Sequence, residues 1–194
     1  MARTLAFDRT QVINGARTVF WSKGFEAASI PELEDATGLS RSSIYNSFGS
    51  KRGLFDAAVE SYLEEIVRPR LQPLLTTPVN PTAVSEYLEG LAEAFERTES
   101  LPANHGCLLI NTANAPISQD PEVARIIGEY RAELQSALHR GILAALPAVD
   151  AAQTQMLATA ITGLVVASFT LVRIAPSEAV QLLRTAQSLL NDQD

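Results

Sequence analysis

Two helix starts stand eleven residues apart in this chain, and each is followed by a stop about two turns later. Ser29-Ile30-Pro31-Glu32 has the form of a capping box with proline in the first turn, so a helix begins there. Thr37-Gly38 interrupts it. Ser40 caps a second short helix through Ile44, Tyr45 and Phe48, and Gly49-Ser50 breaks that one and caps a longer third. A short capped helix, a glycine turn and another short helix make a helix-turn-helix. Ile30, Leu33 and Ala36 are predicted to face inward, with Leu39 and Ile44 locking the crossing. Arg41, Ser42, Tyr45 and Asn46 are then left on the open face of the second helix. All four carry donors suited to phosphates or to base edges in a major groove.

Helix signals recur elsewhere and strand signals do not. Asp8 caps a helix with a stripe at Val12, Ile13, Ala16, Val19 and Phe20, stopped at Gly24. The helix after Ser50 carries Leu54, Phe55, Ala58, Val59, Tyr62, Leu63 and Ile66 and is predicted to end near Pro69. Thr76 to Pro81 is the clearest linker. Further helices start at Asn80-Pro81, near Gly106, at Asp120-Pro121, after Pro147 and Asp150, and at Pro176-Ser177. The expectation is an all-α chain of about nine helices, with no repeat and no heptad run long enough for a coiled coil.

Charge and composition exclude several classes. The net charge is −7, yet residues 1–60 hold seven basic and seven acidic side chains, so the rest carries the whole deficit. A uniform basic coat is excluded, and the N-terminal part alone meets a polyanion without large repulsion. One cysteine excludes an intrachain disulfide, and two separated histidines make a poor metal site, so no metal and no cofactor is expected. No acid–base–nucleophile constellation or phosphate loop points to an enzyme. Met1 to Asp8 shows no apolar export segment, and the apolar run Ile161 to Val172 is about a dozen residues, too short for a bilayer. A cytoplasmic protein without a membrane partner is expected.

Ile13, Ala16, Phe20, Gly24-Phe25, Ser29-Ile30, Leu33, Ala36, Gly38-Leu39-Ser40, Ile44-Tyr45, Phe48, Ser50-Lys51 and Leu54-Phe55 together resemble the TetR family of bacterial transcriptional regulators. The match covers roughly the first 60 residues. The resemblance implies an N-terminal three-helix helix-turn-helix DNA-binding domain and a C-terminal helical ligand-binding and dimerisation domain. Residues 1–50 would form the first and 51–194 the second, joined by a long helix over about 51–68. It implies a homodimer on a palindromic operator in double-stranded DNA, with half-sites about one helical turn apart or somewhat more, and an unknown small-molecule effector. By position, Arg41 and Ser42 would approach base edges, Ser43 a phosphate or base, and Tyr45 a phosphate. Asn46 and Ser47 would complete the face, Lys51 would meet a phosphate at a helix N-terminus, and Ser29 would offer its amide and hydroxyl to the backbone. Glu32, Glu34 and Asp35 depart from a basic interface. They are expected to face away from DNA while weakening non-specific binding.

The body offers residues whose roles stay open. Cys107 and Asn111 share a helical face, and with Tyr62, Phe95, Tyr130 and Phe169 they fit an apolar pocket with a few polar groups. The same aromatics also fit an ordinary core. Cys107 reads as a small buried residue, a pocket wall, or a thiol made reactive by a helix start beside His105. Ile161, Leu164, Val165 and Leu171, with Leu182, Leu183, Ala186 and Leu190 of the last helix, fit no single narrow stripe, so a partner subunit is expected to cover one side. The rival to a DNA-binding regulator is a helical dimer that senses a small molecule or electrophile and acts through a protein partner.

Overall fold

A computed structural model describes residues 8–97 and 100–192. Met1 to Phe7, including Arg3 and the segment considered for export character, lie outside the described residues. Every described secondary-structure element is helical, and the nine expected helices are all present.

Helix α1 (Arg9–Ala27) starts where the Asp8 carboxylate accepts from the Thr10 and Gln11 N–H groups. It buries Val12, Ala16 and Phe20 at four-residue spacing, and its backbone leaves helical geometry at Gly24. Helix α2 (Ile30–Thr37) has the reciprocal Ser29–Glu32 capping box. It ends at Gly38, whose φ of 68° lies in the left-handed region that a side chain would strain. Helix α3 (Arg41–Phe48) is capped by Ser40 and α4 (Lys51–Tyr62) by Ser50. Leu33, Ile44, Leu54 and Phe55 close this head, with Phe55 edge-on to both Phe20 and Phe25 at 5.2 Å. Ala36 departs from expectation and faces solvent.

The long helix does not end at Pro69. A π turn (Leu63–Val67) follows α4, and α5 (Arg68–Leu75) continues the rod. Pro69 lies in the first turn of α5, where a missing N–H costs least. The body comprises α6 (Ala83–Glu96), α7 (Leu101–His105), α8 (Leu108–Ala113), a 3-10 turn (Pro116–Gln119), α9 (Pro121–Ala145), α10 (Ala151–Leu171) and α11 (Pro176–Asn191). Helix α10 packs on α9 and α11, α11 on α6, and α1 on α8, so α1 joins head to body.

Helix α10 is longer than the apolar run predicted. It has 21 residues, and an 18-residue stretch within it has mean hydropathy 1.5, so it is long and apolar enough to cross a membrane by length and composition alone. One side nonetheless buries Thr154, Thr162 and Ser168 against the protein. The expected dimer face needs correction. Ile161, Val165, Leu183, Ala186 and Leu190 are buried within the single chain, so they belong to its own core. Leu164, Leu171 and Leu182 are half-buried. The open side of α10 instead carries Met156, Ala160, Gly163, Ala167 (half-buried) and Thr170, with Ile174 just beyond its end. Their spacing alternates four and three, as in a helix–helix seam. Met156 and Ile174 are 63% and 79% exposed.

Candidate nucleic-acid interface and effector cavity

Helix α3 stands on the buried Ile44 and turns Arg41, Ser42, Tyr45 and Asn46 to solvent. Ser43 and Ser47 are half-buried at its flanks. The Ser40 hydroxyl lies 3.0 Å from the hydroxyls of both Ser42 and Ser43, so one cap organises a cluster of three. The Arg41 guanidinium lies over the Tyr45 ring, 5.6 Å from its centre. Both side chains are exposed and free to turn outward.

Three expectations change in this region. Ser29 is exposed, but its amide and hydroxyl both donate to the Glu32 carboxylate, at 3.0 and 2.8 Å. Glu32 also pairs with Lys23, and these contacts lower its pKa to about 2. Lys51 does not project from the start of α4. Its ammonium sits 4.7 Å from the centre of the Phe25 ring and donates to the Glu26 carbonyl at 3.4 Å, and burial lowers its pKa. Glu34 does not face away: it accepts from the Arg41 backbone N–H and so occupies the start of α3. Arg9, over the Phe48 ring at 4.7 Å, is a surface cation of the head that sequence reading missed. Nothing local marks it, because its neighbour lies 39 positions away.

Polar contacts tie head to body. The buried Trp21 indole donates to the Gly106 carbonyl at 3.0 Å. Gly106 has φ 66°, and a Cβ there would stand 2.4 Å from the Phe169 carbonyl oxygen, so only glycine fits. The Ile117 N–H donates to Glu26 at 2.8 Å. Arg52, in the first turn of α4, bridges Asp56 and Asp120, each at 2.7 Å. Asp120 also caps α9 through the Glu122 and Val123 N–H groups. Arg52 and the capping bonds lower its pKa to about 2.

Inside the body, tyrosines gather around Cys107. The thiol is fully buried and donates to the Tyr130 hydroxyl at 3.5 Å. Burial and the Cys107 thiol raise the pKa values of Tyr62 and Tyr130 well above that of an ordinary phenol. A narrow cavity of about 20 Å³ lies beside them, with Tyr62, Tyr130 and Phe169 among its walls. Phe95 packs edge-on against Phe169 at 5.4 Å, outside that lining. Asn111 is not part of the cavity: its amide donates to the His105 carbonyl at 2.6 Å. His105 leaves its Nδ1 buried without a partner among the described residues. Sequence reading missed six of the walls, among them the polar Arg70 and Tyr87. Tyr87 lies three positions after the stripe residue Val84, a spacing that marks it for the same face. Arg70 lies beyond Pro69, where the sequence suggests a stop. A larger groove of about 530 Å³ between α4 and α9 is open to solvent and lined by Asp56, Glu60, Glu64, Glu129 and Glu133 with Arg68.

The sequence profile of the tetR family of bacterial regulatory proteins matches residues 12–58, which span the head and most of α4. Over 145 residues the chain is 32% identical to YezE of Bacillus subtilis strain 168, an uncharacterized HTH-type transcriptional regulator. That match covers 75% of this chain and 73% of YezE. It is 29% identical over 163 residues to BdcR of Escherichia coli strain K12, an HTH-type transcriptional repressor, covering 84% of this chain and 79% of BdcR. Among solved structures, a cysteine mutant of the TetR family regulator CifR, in complex with 26-bp operator DNA, shares the fold with a TM-score of 0.79. The two are 26% identical, and the match covers 99% of this chain and 100% of the other. Matching residues, short capped helices and the arrangement of the whole chain agree, and the chain belongs to the TetR family of bacterial transcriptional regulators.

Proposed function

We propose that this DNA-binding transcriptional regulator is a cytoplasmic homodimeric repressor that a small molecule releases from a palindromic operator. The observation that carries the reading is the build of α3: polar donors Arg41, Ser42, Tyr45 and Asn46 stand exposed on a helix anchored by a fully buried Ile44. Arg41 reads a base edge and Tyr45 holds a phosphate. Ser42, Ser43, Asn46 and Ser47 contribute further contacts. Lys51 reaches a phosphate only by leaving the Phe25 ring. The α10 seam from Met156 to Thr170, with its counterpart in a second subunit, sets the distance between the two α3 helices. An effector in the body shifts that distance through α4 and the Trp21–Gly106 and Arg52–Asp120 contacts. A differential of about 1–3 kcal/mol between the two states changes operator affinity roughly 5- to 150-fold.

Selection of bound sequences from a random duplex pool tests this reading. A two-fold symmetric consensus is the expected result. A folded, dimeric protein that enriches no sequence would instead favour a sensor acting through a protein partner.

A further inference from the structure

A repressor released by a small molecule needs an effector of some definite chemistry, and the inference drawn here rests on that reading. Arg70 makes no ion pair and no hydrogen bond among the described residues. It is nonetheless half-buried, and it lines both the narrow cavity of about 20 Å³ and an outer hollow of about 220 Å³ between α5 and α6. Most other cations of the chain have a carboxylate, a carbonyl or an aromatic face. A guanidinium drawn partly out of water without an acceptor is unfavourable, and a bidentate anion relieves it.

Tyr87 stands beside it. The residue is 8% exposed, it shares both cavities with Arg70, and its hydroxyl has no hydrogen-bond partner among the described residues. An unoccupied phenol and an unoccupied guanidinium thus form the wall between the outer hollow and the inner cavity. Behind that wall lie Tyr62, Tyr130 and Phe169, a surface for an aromatic or aliphatic body. The inner cavity holds about one water as it stands, so the body of a ligand enters only as its walls move apart. Glu86, the one carboxylate lining the outer hollow, accepts from the Thr82 hydroxyl at 2.6 Å.

We infer that the effector is a small organic anion, a carboxylate on an apolar body, whose charged group is held by Arg70 and the Tyr87 hydroxyl. The body of the molecule then presses on Tyr62. Tyr62 lies at the C-terminal end of α4 and has its ring centre 4.9 Å from that of Trp21, the only tryptophan.

Trp21 fluorescence provides the test on the full chain. Benzoate, phenylacetate, hexanoate and octanoate are titrated up to about 10 mM, the range in which fragments of this size bind. Each is compared with its neutral amide. At least one carboxylate is expected to change the emission and to bind more tightly than its amide by roughly 10- to 100-fold, the worth of a charge-assisted pair. Arg70→Gln abolishes that preference, and Tyr87→Phe weakens the carboxylate roughly 3- to 10-fold. Unchanged thermal midpoints for the two variants confirm that the fold survives. The inference is overturned if no carboxylate binds, if amides bind equally well, or if Arg70→Gln keeps the preference. Operator selection separates the two readings. Carboxylate binding that depends on Arg70, in a protein that enriches no DNA sequence, sinks the repressor and leaves the anion site standing.

Discussion

The head and the body of this protein are both helical, yet they are held together by different means. In the head, helices of eight residues are bounded by side chains that cap them, and a few fully buried residues such as Leu33, Ile44 and Phe55 fasten them together. In the body, the four longest helices, of 14 to 25 residues, lie on broad apolar faces, and the polar Thr112, Thr154, Thr162 and Ser168 are buried inside. The comparison teaches that the two ends must respond differently to change. The head carries its polar donors outside, on α3. The body keeps its chemistry in a packed interior.

The largest expected effect separates the seam of α10 from the core beneath it. Nothing lies within 4 Å of the position a Cβ would take at Gly163, so Gly163→Arg leaves the single chain undisturbed. Across a two-fold axis the new charge meets its own copy, at a cost of several kcal/mol. Sedimentation should find a folded monomer, and operator affinity should fall by more than about 100-fold. A dimer of unchanged affinity would place the interface elsewhere. Next, Leu33→Ala removes a fully buried side chain from the head and should cost about 2–5 kcal/mol in denaturant unfolding. A loss of less than about 1 kcal/mol would mean that the head is less tightly packed than Leu33 implies.

Tyr45→Phe sharpens the contrast between outside and inside. It removes an exposed hydroxyl and should weaken operator binding by about 0.5–1.5 kcal/mol without altering sequence preference or stability. A fall in stability of the same size would make Tyr45 a structural residue. The smallest effect lies at the joint. Asp120 is lowered from 3.8 to about 2 in the fold, so its contacts with Arg52 and the α9 N–H groups stabilise the protein above about pH 4. That contribution disappears as pH falls from about 4 toward 2. Asp120→Asn should flatten this part of the acid-unfolding curve, whereas Glu32 and Lys23 keep their own share of it. An unaltered acid limb would remove Asp120 from the joint.

The same division governs how much of the molecule is legible in its sequence. Capping residues act within their own turn, so Ser29, Gly38, Ser40 and Ser50 mark out the head directly. Contacts between elements leave no such mark. Glu34 reaches the start of α3, Lys51 folds onto Phe25, and Arg9 finds Phe48, each through the tertiary arrangement alone. Pro69 reads as a stop, but after a π turn it falls in the first turn of a continuing helix, and that reading hides Arg70, the next residue of the same turn. Helix α10 carries small or apolar residues on nearly all sides, so periodicity alone does not tell its core side from its open side. Burial separates them: Ile161 and Val165 go inward, and Met156 and Gly163 remain outside.

In the proposed mode of binding, α3 reads a base pair through Arg41 in each half of a symmetric site. The most direct test measures binding to a selected duplex with every base pair substituted in turn, for the native chain and for Arg41→Ala. The account predicts two symmetric sets of sensitive positions about one helical turn apart, and loss of discrimination at one position in each set, worth about 1–3 kcal/mol. Sensitivity that is identical for both proteins, or that Arg41→Ala lowers evenly across the whole site, would contradict it.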